Sequence, residues 1–297
     1  MRNRIKAWWW RDKENVGDSL TPYIINKLSG MEVIHIGYSL LEAARYILKR
    51  LKAGLPIDYQ LIRPIYLFEP EYILGVGSIL NHKSHKKAIV WGSGFIKASN
   101  LYYGKKLLAV RGQYSAERLV ELGYPMTEIW GDPALLLPMI YRPKNITRKG
   151  TLAIVPNFSE YEKFEKQYGS RYDVINLNTS DIEHIIDLLC SYDYILSTSL
   201  HGLIISHAYG IPAIWIEDVV LVDDYFHFKF RDYFSSVGIP YYEPYRNIEE
   251  LLNSNMEFFF KENQAKYMLN RDLKHIQRDL LSVAPFPVKS EFKNYSL

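Results

Sequence analysis

Residues 194–216 read YILSTSLHGLIISHAYGIPAIWI. The apolar run at 194–197 predicts a buried strand, residues 200–209 predict a helix, and the run at 213–216 predicts a second strand. Gly210 and Pro212 mark the turn between this helix and the second strand. Two parallel strands need a long crossover between them, usually a helix. The stretch therefore predicts a βαβ unit and, with it, a parallel sheet.

The same alternation of short apolar runs and amphipathic segments extends along the chain in both directions. It predicts strands at 5–10, 33–36, 72–76, 88–91, 107–110, 152–155 and 172–177, and helices at 18–28, 40–52, 115–122, 161–168, 180–190 and 248–252. A Pro-containing loop at 138–150 separates two such runs. We therefore predict an α/β fold of two Rossmann-like domains with parallel sheets, at 1–140 and 141–260. A helical tail at 261–297 follows, with a long helix at about 262–281. Ligands are expected in a cleft between the domains, at the carboxyl ends of the strands.

The composition is that of a globular protein. The chain has 297 residues, 48% hydrophobic and 23% charged, which excludes collagen-like and disordered classes. The net charge of +3 is too small for a protein that binds nucleic acid mainly by electrostatics. The single cysteine, Cys190, cannot form an intrachain disulfide. The apolar stretch 5–10 is too short for a signal peptide, and no window suits a transmembrane helix, so we expect a cytoplasmic protein.

Asn15, Gly17 and Asp18 form the first of four motifs that can carry chemistry. They follow the first predicted strand and precede a helix. Gly17 allows a tight turn, and Asp18 can cap a helix whose first amides face the cleft. The alternative is a helix cap with a turn glycine and no further role.

The second motif consists of two small-residue clusters that follow predicted strands. They are Gly75-Val76-Gly77-Ser78 and Trp91-Gly92-Ser93-Gly94. Such turns let a phosphate or carboxylate approach backbone amides. Neither cluster is a dinucleotide fingerprint or a P-loop, so NAD binding and P-loop nucleotide hydrolysis are not expected. Tight turns without a ligand are the alternative.

Arg111 ends a predicted strand and is the third candidate. Gly112 follows it, and Ser115 begins the next predicted helix. A guanidinium at this position is expected to point into the cleft, where its planar fork of donors suits a phosphate or carboxylate. The alternative is a surface salt bridge.

The fourth motif is Ser197-Thr198-Ser199-Leu200-His201-Gly202, between a strand and a helix. The amides and the positive dipole end of that helix favour an anion. The dipole disfavours an imidazolium at His201 unless an anion lies beside it, in which case His201 becomes available as an acid. A capping histidine is the alternative. His207 lies on another face of the helix and is expected to be packed or at the surface.

The four motifs in this order resemble the polysaccharide pyruvyl transferase family. The sequence from about Asn15 to Trp215 contains N-x-G-D, G-x-G-S, W-G-x-G, V-R-G-x-x-S, G-D-P-A and S-L-H-G-x-I, followed by A-x-G-I-P. The resemblance implies a GT-B-like pair of Rossmann domains, with the acceptor on the N-terminal side and the anionic donor on the C-terminal side. It implies transfer of the enolpyruvyl group of phosphoenolpyruvate onto two hydroxyls of a sugar, giving a pyruvate ketal. The acceptor implied is a bacterial surface-polysaccharide precursor, for example of a capsule or exopolysaccharide, often lipid-linked.

The resemblance assigns roles to particular residues. It implies His201 as general acid or phosphate stabiliser, with Asp18 or Asp132 as the group that deprotonates a sugar hydroxyl. Phosphoenolpyruvate is the co-substrate, and no cofactor or metal is expected. The residues expected to bind phosphoenolpyruvate are Arg111, Ser197, Ser199, Gly202, Gly92 and Ser93. The acceptor is expected at Asn15, Gly17, Gly77, Ser78 and Tyr102.

The chain departs from the family at Ser199, where some members have arginine. Another cation is expected to replace it, and the sequence leaves Lys97, Lys229 and Arg231 open. Two alternative functions remain: a nucleotide-sugar glycosyltransferase of the GT-B type, with Glu217 on the ribose, and a carbohydrate-binding or assembly protein without catalysis.

Two basic segments and several aromatic residues are candidates for acceptor contacts. The segment 81–106 contains no Asp or Glu and is expected beside the cleft. Its basic residues are Lys83, Lys86, Lys87, Lys97, Lys105 and Lys106. In the helix at 40–52, the four basic residues Arg45, Lys49, Arg50 and Lys52 lie opposite its leucines. Either segment suits anionic headgroups or a diphosphate-lipid, hence a peripheral membrane contact. The alternative for the helix is packing on the domain with a solvated basic face. The aromatic segments 102–103 and 225–230 are candidates for stacking on sugar rings, whereas 8–10 is expected in the core.

Overall fold

The structure is a computed structural model that describes residues 4–58, 65–67, 70–81, 86–144, 146–218 and 227–293. The first half of the chain forms a five-stranded parallel sheet in the order β2-β1-β5-β6-β7. A two-stranded parallel sheet, β3-β4, lies apart from it. These strands are β1 (Arg4–Trp8), β2 (Glu32–His35), β3 (Tyr38–Ser39), β4 (Ile65–Tyr66), β5 (Tyr72–Leu74), β6 (Ala88–Trp91) and β7 (Lys106–Ala109).

The second half forms a four-stranded parallel sheet in the order β11-β10-β8-β9. Its strands are β8 (Gly150–Val155), β9 (Asp173–Val174), β10 (Tyr192–Ser197) and β11 (Ala213–Trp215). The strands of each sheet can be numbered in chain order. In both sheets the first strand then lies between the second and the third. In such sheets the ligand crevice opens outside the carboxyl ends of the strands, where the order reverses. These sites lie between β1 and β5 and between β8 and β10.

Helices cover the two parallel sheets, as the alternating pattern predicts. The strand at 88–91 and the helices at 40–52, 161–168 and 248–252 have the predicted bounds. The helices are α1 (Val16–Ser29), α2 (Leu40–Lys52), Gln113–Glu121, Leu137–Ile140, Tyr161–Tyr168, Ile182–Leu189, Leu200–Ala208, His227–Val237, Ile248–Leu252, Met256–Glu262, Gln264–Tyr267, Leu273–Ser282 and Ser290–Lys293, and a 3-10 turn covers Pro133–Leu136. None of the described helices has the length and apolarity to cross a membrane.

Helix α1 joins the two halves of the chain. The Val16 amide donates to the Leu177 carbonyl at 3.0 Å. The hydroxyl of Tyr23 and the ammonium of Lys27 both donate to Glu183 Oε1, at 2.8 and 2.7 Å. One continuous apolar core extends from the α1 leucines to the helices of the second sheet. The domain bounds 1–140 and 141–260 stay a prediction, and this shared core holds the two sheets together.

The C-terminal tail does not form the long helix predicted at about 262–281. That segment contains the short helix Gln264–Tyr267 and most of Leu273–Ser282, with extended chain between them. Asn270 stabilises the break because its side-chain amide donates to the Gly238 carbonyl at 3.1 Å. The last of these helices packs on the first sheet, where Trp91 Nε1 donates to the Leu280 carbonyl at 2.8 Å.

The basic segment at 81–106 lies mostly at the wrong edge of the sheet for the predicted role. Lys86 and Lys87 precede β6, and Lys105 and Lys106 lie at the start of β7. They are therefore at the amino ends of these strands, whereas the ligand crevice is at the carboxyl ends. Lys105 also pairs with Glu71. Lys83 lies outside the described residues, as do residues 225–226 of the aromatic segment 225–230.

Candidate active site

Two helix N-termini meet beyond the carboxyl ends of β1 and β10, which are interior strands of the two sheets. Helix α1 follows β1, and the helix Leu200–Ala208 follows β10. Asn15 caps α1, since its Oδ1 accepts from the Gly17 amide at 2.9 Å. Ser199 caps the second helix, with its hydroxyl accepting from the Gly202 amide at 3.4 Å. Each of these ends carries the positive end of a helix dipole, which favours an anion.

The imidazole of His201 fills the space between these two helix ends. A Cβ atom at Gly17 would lie 2.2 Å from His201 Nδ1, so only glycine fits there. His201 Nε2 is buried and has no hydrogen-bond partner among the described residues. Burial lowers the pKa of His201 to about 3, helped by the positive charges of Lys229 and Arg111. The ring is therefore neutral at physiological pH, and an anion placed beside it would favour its protonation.

Asp18 lies in the first turn of α1, next to the same contact. Burial raises its pKa to about 7, an effect opposed by a hydrogen bond to Asn15 and reinforced by the charge of Asp12. A carboxyl group with a pKa near neutrality can take up and release a proton at working pH. The sequence pattern placed Asp18 near the cleft, and only its burial in the fold gives it this property.

Arg111 is fully buried and is held by protein groups. Its Nε and Nη2 both contact Asp232 Oδ2 at 2.9 Å. Nη1 donates to Ser78 Oγ at 2.5 Å, and Nη2 also donates to the Phe95 carbonyl at 2.6 Å. This corrects two expectations: the arginine is not in a surface salt bridge, and its fork is not open to a ligand. A role in binding phosphoenolpyruvate stays a prediction that this placement does not support.

Asp232 is the important residue that the sequence patterns missed. It lies on the helix His227–Val237, 121 positions after Arg111 in the chain. In addition to its contact with Arg111, the Asp232 carboxylate accepts hydrogen bonds from the amide and the hydroxyl of Ser115, each at 2.7 Å. The ion pair thus connects the end of β7 to a helix of the second half. No short-range pattern in the sequence reveals such a partner.

Asp132 is buried beneath the Gly75–Ser78 turn. Its Oδ1 accepts from the Ala134 amide at 2.9 Å, and the residue caps the short turn at 133–136. Oδ2 has no hydrogen-bond partner among the described residues, although the Gly77 amide is near enough to favour the charged form. Burial is the larger effect and raises the pKa of Asp132 to about 6. Both roles expected for this residue, base and turn cap, remain compatible with its position.

Several predicted ligand residues instead stabilise the loops around the site. Ser197 Oγ donates to the Val155 and Ser199 carbonyls, and Ser93 Oγ donates to the Gly75 carbonyl at 2.5 Å. Gly92 has φ of 96° and packs on the Pro133 ring. These contacts shape the turns, and ligand binding by these residues stays untested.

Tyr102 is the clearest correction among the predicted acceptor contacts. It is 3% exposed and belongs to the core of the first sheet, where its ring packs on Tyr124 with centroids 5.2 Å apart. Burial raises the pKa of its phenol. The ring therefore cannot stack on a sugar in the cleft.

A cleft of about 490 Å³ opens beside the Leu200–Ala208 helix. Ile96 from the first half contributes to its wall, whereas its other lining residues come from the second half, from the carboxyl ends of β8, β10 and β11 and from the start of the helix His227–Val237. Those lining residues are Asn157, Phe158, Ser159, Glu160, Thr198, Trp215, Ile216, Glu217, His227, Lys229 and Phe230. The cleft therefore lies at the crevice that the winding of the second sheet predicts.

Lys229 is the cation of this cleft among the three that the sequence left open. Burial lowers its pKa to about 8, the Arg111 charge adds to this, and Glu160 opposes it. Arg231, by contrast, lies over the Tyr114 ring at 4.3 Å. Lys97 follows β6, and its backbone amide donates to Asn100 at 3.0 Å.

Glu217 lies in the same cleft, at the end of β11. Its Oε1 contacts His227 Nε2 at 3.0 Å, and its Oε2 contacts Arg246 Nε at 3.2 Å. Both carboxylate oxygens are thus engaged by protein groups. Within the described ranges, no three side chains of His, Cys, Asp or Glu come together as metal ligands.

The family model described as polysaccharide pyruvyl transferase matches residues 35–218. The chain belongs to this family. It is accordingly a transferase, and its family acts on polysaccharide by pyruvyl transfer. The matched segment includes Arg111, Asp132 and His201, whereas Gly17, Asp18 and Lys229 lie outside it.

A relative from Acanthamoeba polyphaga mimivirus, an uncharacterized protein, is 27% identical over 240 residues. The alignment covers 74% of this chain and 81% of the viral protein. Since that relative carries no assigned activity, the roles of individual residues in this pyruvyl transferase rest on its own geometry.

Proposed function

We propose that the chain transfers the enolpyruvyl group of phosphoenolpyruvate onto two hydroxyls of a sugar, forming a pyruvate ketal on a bacterial surface-polysaccharide precursor. One observation carries the proposal: the buried, unpartnered Nε2 of His201 at a helix N-terminus, under the charges of Lys229 and Arg111. A buried, unpartnered ring nitrogen in this electrostatic setting supports the binding of an anion. We further propose that the two sheets form a GT-B-like arrangement in the cytoplasm, with the donor in the second half.

Phosphoenolpyruvate fits the charges of this site. It carries a phosphate and a carboxylate, and the site offers a helix N-terminus, the Lys229 ammonium and the His201 ring. Lys229 takes the place of the arginine that some family members have at the position of Ser199. An anion beside His201 offsets the effects that lower its pKa, so that donor binding charges the ring. His201 then serves as general acid or stabilises the leaving phosphate.

The reaction balances with the groups of the substrates and this chain. A proton adds to the methylene carbon while the oxygen of the first sugar hydroxyl bonds to carbon two and loses its own proton. The bond between carbon two and the phosphate oxygen then breaks, and phosphate leaves. The second hydroxyl oxygen attacks the same carbon, and its proton leaves with the phosphate. The methylene has become a methyl group, and the ketal is closed.

Asp18 is our candidate for the group that accepts the hydroxyl proton. Its pKa of about 7 leaves a large share of the carboxyl ionised at neutral pH, and the protonated form can pass the proton on. Asp132, whose pKa burial raises to about 6, is the second candidate. Asp18 is favoured because it lies one residue from Gly17, which touches His201.

The second candidate function is a glycosyltransferase that uses a nucleotide-sugar. It is favoured by one observation, the position of Glu217 at the carboxyl end of β11 within the cleft. A nucleotide ribose would have to replace His227 or Arg246 as the partner of that carboxylate. Phosphoenolpyruvate needs no such exchange, which is why we place it first.

The test is incubation of the chain with phosphoenolpyruvate and a panel of galactosides and other glycosides. Phosphate release and a mass gain of one pyruvate less water on the sugar are measured together. We expect both signals from the same acceptor. Phosphate release without the mass gain would contradict transfer. Neither signal, together with stabilisation of the fold by uridine diphosphate, would favour the glycosyltransferase.

A further inference from the structure

Helix α2 turns its leucines outward. Leu41, Leu48 and Leu51 are 60%, 57% and 61% exposed, while Ala43 on the opposite side is 3% exposed. The sequence pattern alone suggests the reverse, with the leucines packed on the domain. A soluble surface normally scatters its exposed apolar residues, and a continuous stripe of them marks a binding surface.

The stripe has a regular spacing and a basic border. Residues 41, 44, 48 and 51 are separated alternately by three and four positions, which places them along one side of the helix, and Leu55 follows the turn at Gly54 that ends it. All five are exposed. Arg45, Lys49 and Lys52 are exposed too, and the helical periodicity places them along one flank of the stripe. Apolar side chains flanked by cations are typical of helices that lie in a membrane interface.

Strand β4 extends the apolar surface beyond the helix. It pairs with β3, which leads directly into α2. Ile65 is 46% exposed, and Leu67, immediately after this strand, is 72% exposed. We refer to the exposed side chains of Leu41, Leu48, Leu51, Leu55, Ile65 and Leu67 as the leucine patch.

The leucine patch lies on the side of the first sheet where the ligand crevice opens. Its helix follows β2 and β3, after the carboxyl end of β2. Tyr38, at the start of this segment, and Asp58, after the helix, both lie near Arg11, which follows the end of β1. The patch is thus attached to the edge from which α1 and Asp18 begin.

We propose that the leucine patch docks this chain on an anionic lipid bilayer. The observation that selects a bilayer is the charge of α2, which has four basic residues and one acidic residue. A second copy packed on the same stripe would bring basic borders close to each other, and like charges oppose such pairing. An anionic surface instead attracts each Lys or Arg near it. The proposal goes beyond the transfer reaction and does not depend on its donor.

The test is sedimentation of the full chain with vesicles of phosphatidylcholine, alone or mixed with phosphatidylglycerol. We expect binding to the mixed vesicles at low salt, weakened by high salt because screening acts on exposed charges. The double variant Leu48→Gln, Leu51→Gln should bind about tenfold less tightly or worse, because two apolar side chains no longer enter the interface. Phe258→Gln is the control, as Phe258 is 63% exposed on another helix. Circular dichroism checks that each variant is folded.

Three results would overturn the docking proposal. The first is absence of wild-type binding to mixed vesicles at low salt, and the second is equal binding by the double leucine variant. The third is a concentration-dependent dimer in light scattering that the leucine variant abolishes, which would assign the patch to a second copy. Transfer onto a water-soluble glycoside is measured in parallel without vesicles and should be unchanged in the leucine variant. The docking surface and the transfer reaction can therefore fail separately.

Discussion

The imidazole of His201 lies against the backbone of Gly17, so closely that a Cβ atom at position 17 would come within 2.2 Å of Nδ1. This contact joins the helix that follows β1 to the helix that follows β10. The two Rossmann-like halves thus meet at the histidine of the family motif. The position of the ring depends on a residue of the other half, and this leads to the first prediction.

Gly17→Ala should displace His201 and lower the turnover number about 100-fold, the usual effect of moving a reacting group by about 1 Å. The added methyl group has no space except where the ring now lies. The measurement is steady-state ketal formation at saturating phosphoenolpyruvate.

Gly150→Ala is the matched control for this substitution. Its Cβ would lie 3.4 Å from the Tyr192 ring, an ordinary contact. If both alanine variants kept wild-type turnover at equal folded content, the contact between residues 17 and 201 would not matter for catalysis.

Asp18→Asn should change how stability depends on pH. The folded-state pKa of about 7 lies above the usual value of 3.8, so the native state binds more protons than the unfolded state between these values. The free energy of unfolding of the wild-type protein therefore decreases as pH rises from about 4 to 7. The asparagine variant should show a flatter profile and, at pH 8, be more stable by about 2–4 kcal/mol.

Urea unfolding at several pH values measures this change in the pH dependence of stability. The control is Glu128→Gln, because Glu128 is exposed. In Asp18→Asn the transfer rate should fall sharply, since the side chain can no longer accept a proton. A variant as active as the wild type would leave Asp18 as a residue of the first turn without a catalytic role and shift that role to Asp132.

Arg111→Met and Asp232→Asn should each destabilise the fold by about 3–5 kcal/mol, because each leaves one buried group without its charged partner. The double variant Arg111→Met, Asp232→Asn should be less destabilised than the sum of the two single variants. Unfolding in urea gives the three free energies. Single variants of wild-type stability would show that the pair is not structural and would restore Arg111 as a ligand of the donor.

Lys229→Met should weaken the binding of phosphoenolpyruvate about 10–100-fold, the usual effect of losing one charge-assisted hydrogen bond. The readout is the rise in melting temperature with increasing phosphoenolpyruvate, which reports binding to the native state. Lys229→Arg should retain part of the effect, and Lys261→Met, at an exposed position, should behave as the wild type. Equal affinity in all of them would mean that another cation replaces the arginine missing at Ser199.

The sequence predicts most of the local structure and places Asn15 and His201 at the starts of helices, because these features depend on short-range patterns. Apolar runs followed by small or polar residues gave the strands and turns around Asn15 and His201. The same patterns do not contain the partner of a buried charge, so they do not predict the pairing of Arg111 with Asp232. Such a pair depends on how distant segments pack.

Two further differences between the predicted and the observed structure also arise from the packing of distant segments. The leucines of α2 have the spacing of a buried helix face, but the helix packs with its Ala43 side buried and leaves the leucines exposed. The tail has helical periodicity throughout, but the hydrogen bond of Asn270 to the Gly238 carbonyl holds part of it extended. In both cases a tertiary contact overrides a local preference.

The central claim is that binding of the anionic donor causes His201 to take up a proton. Its most direct test is nitrogen NMR of the protein labelled at histidine, with His201→Gln identifying the signal, at pH 6 before and after saturation with phosphoenolpyruvate. We predict a neutral imidazole in the free protein, because burial lowers its pKa to about 3, and an imidazolium in the complex. A ring that stays neutral at saturation, or one already charged in the free protein, would contradict the account.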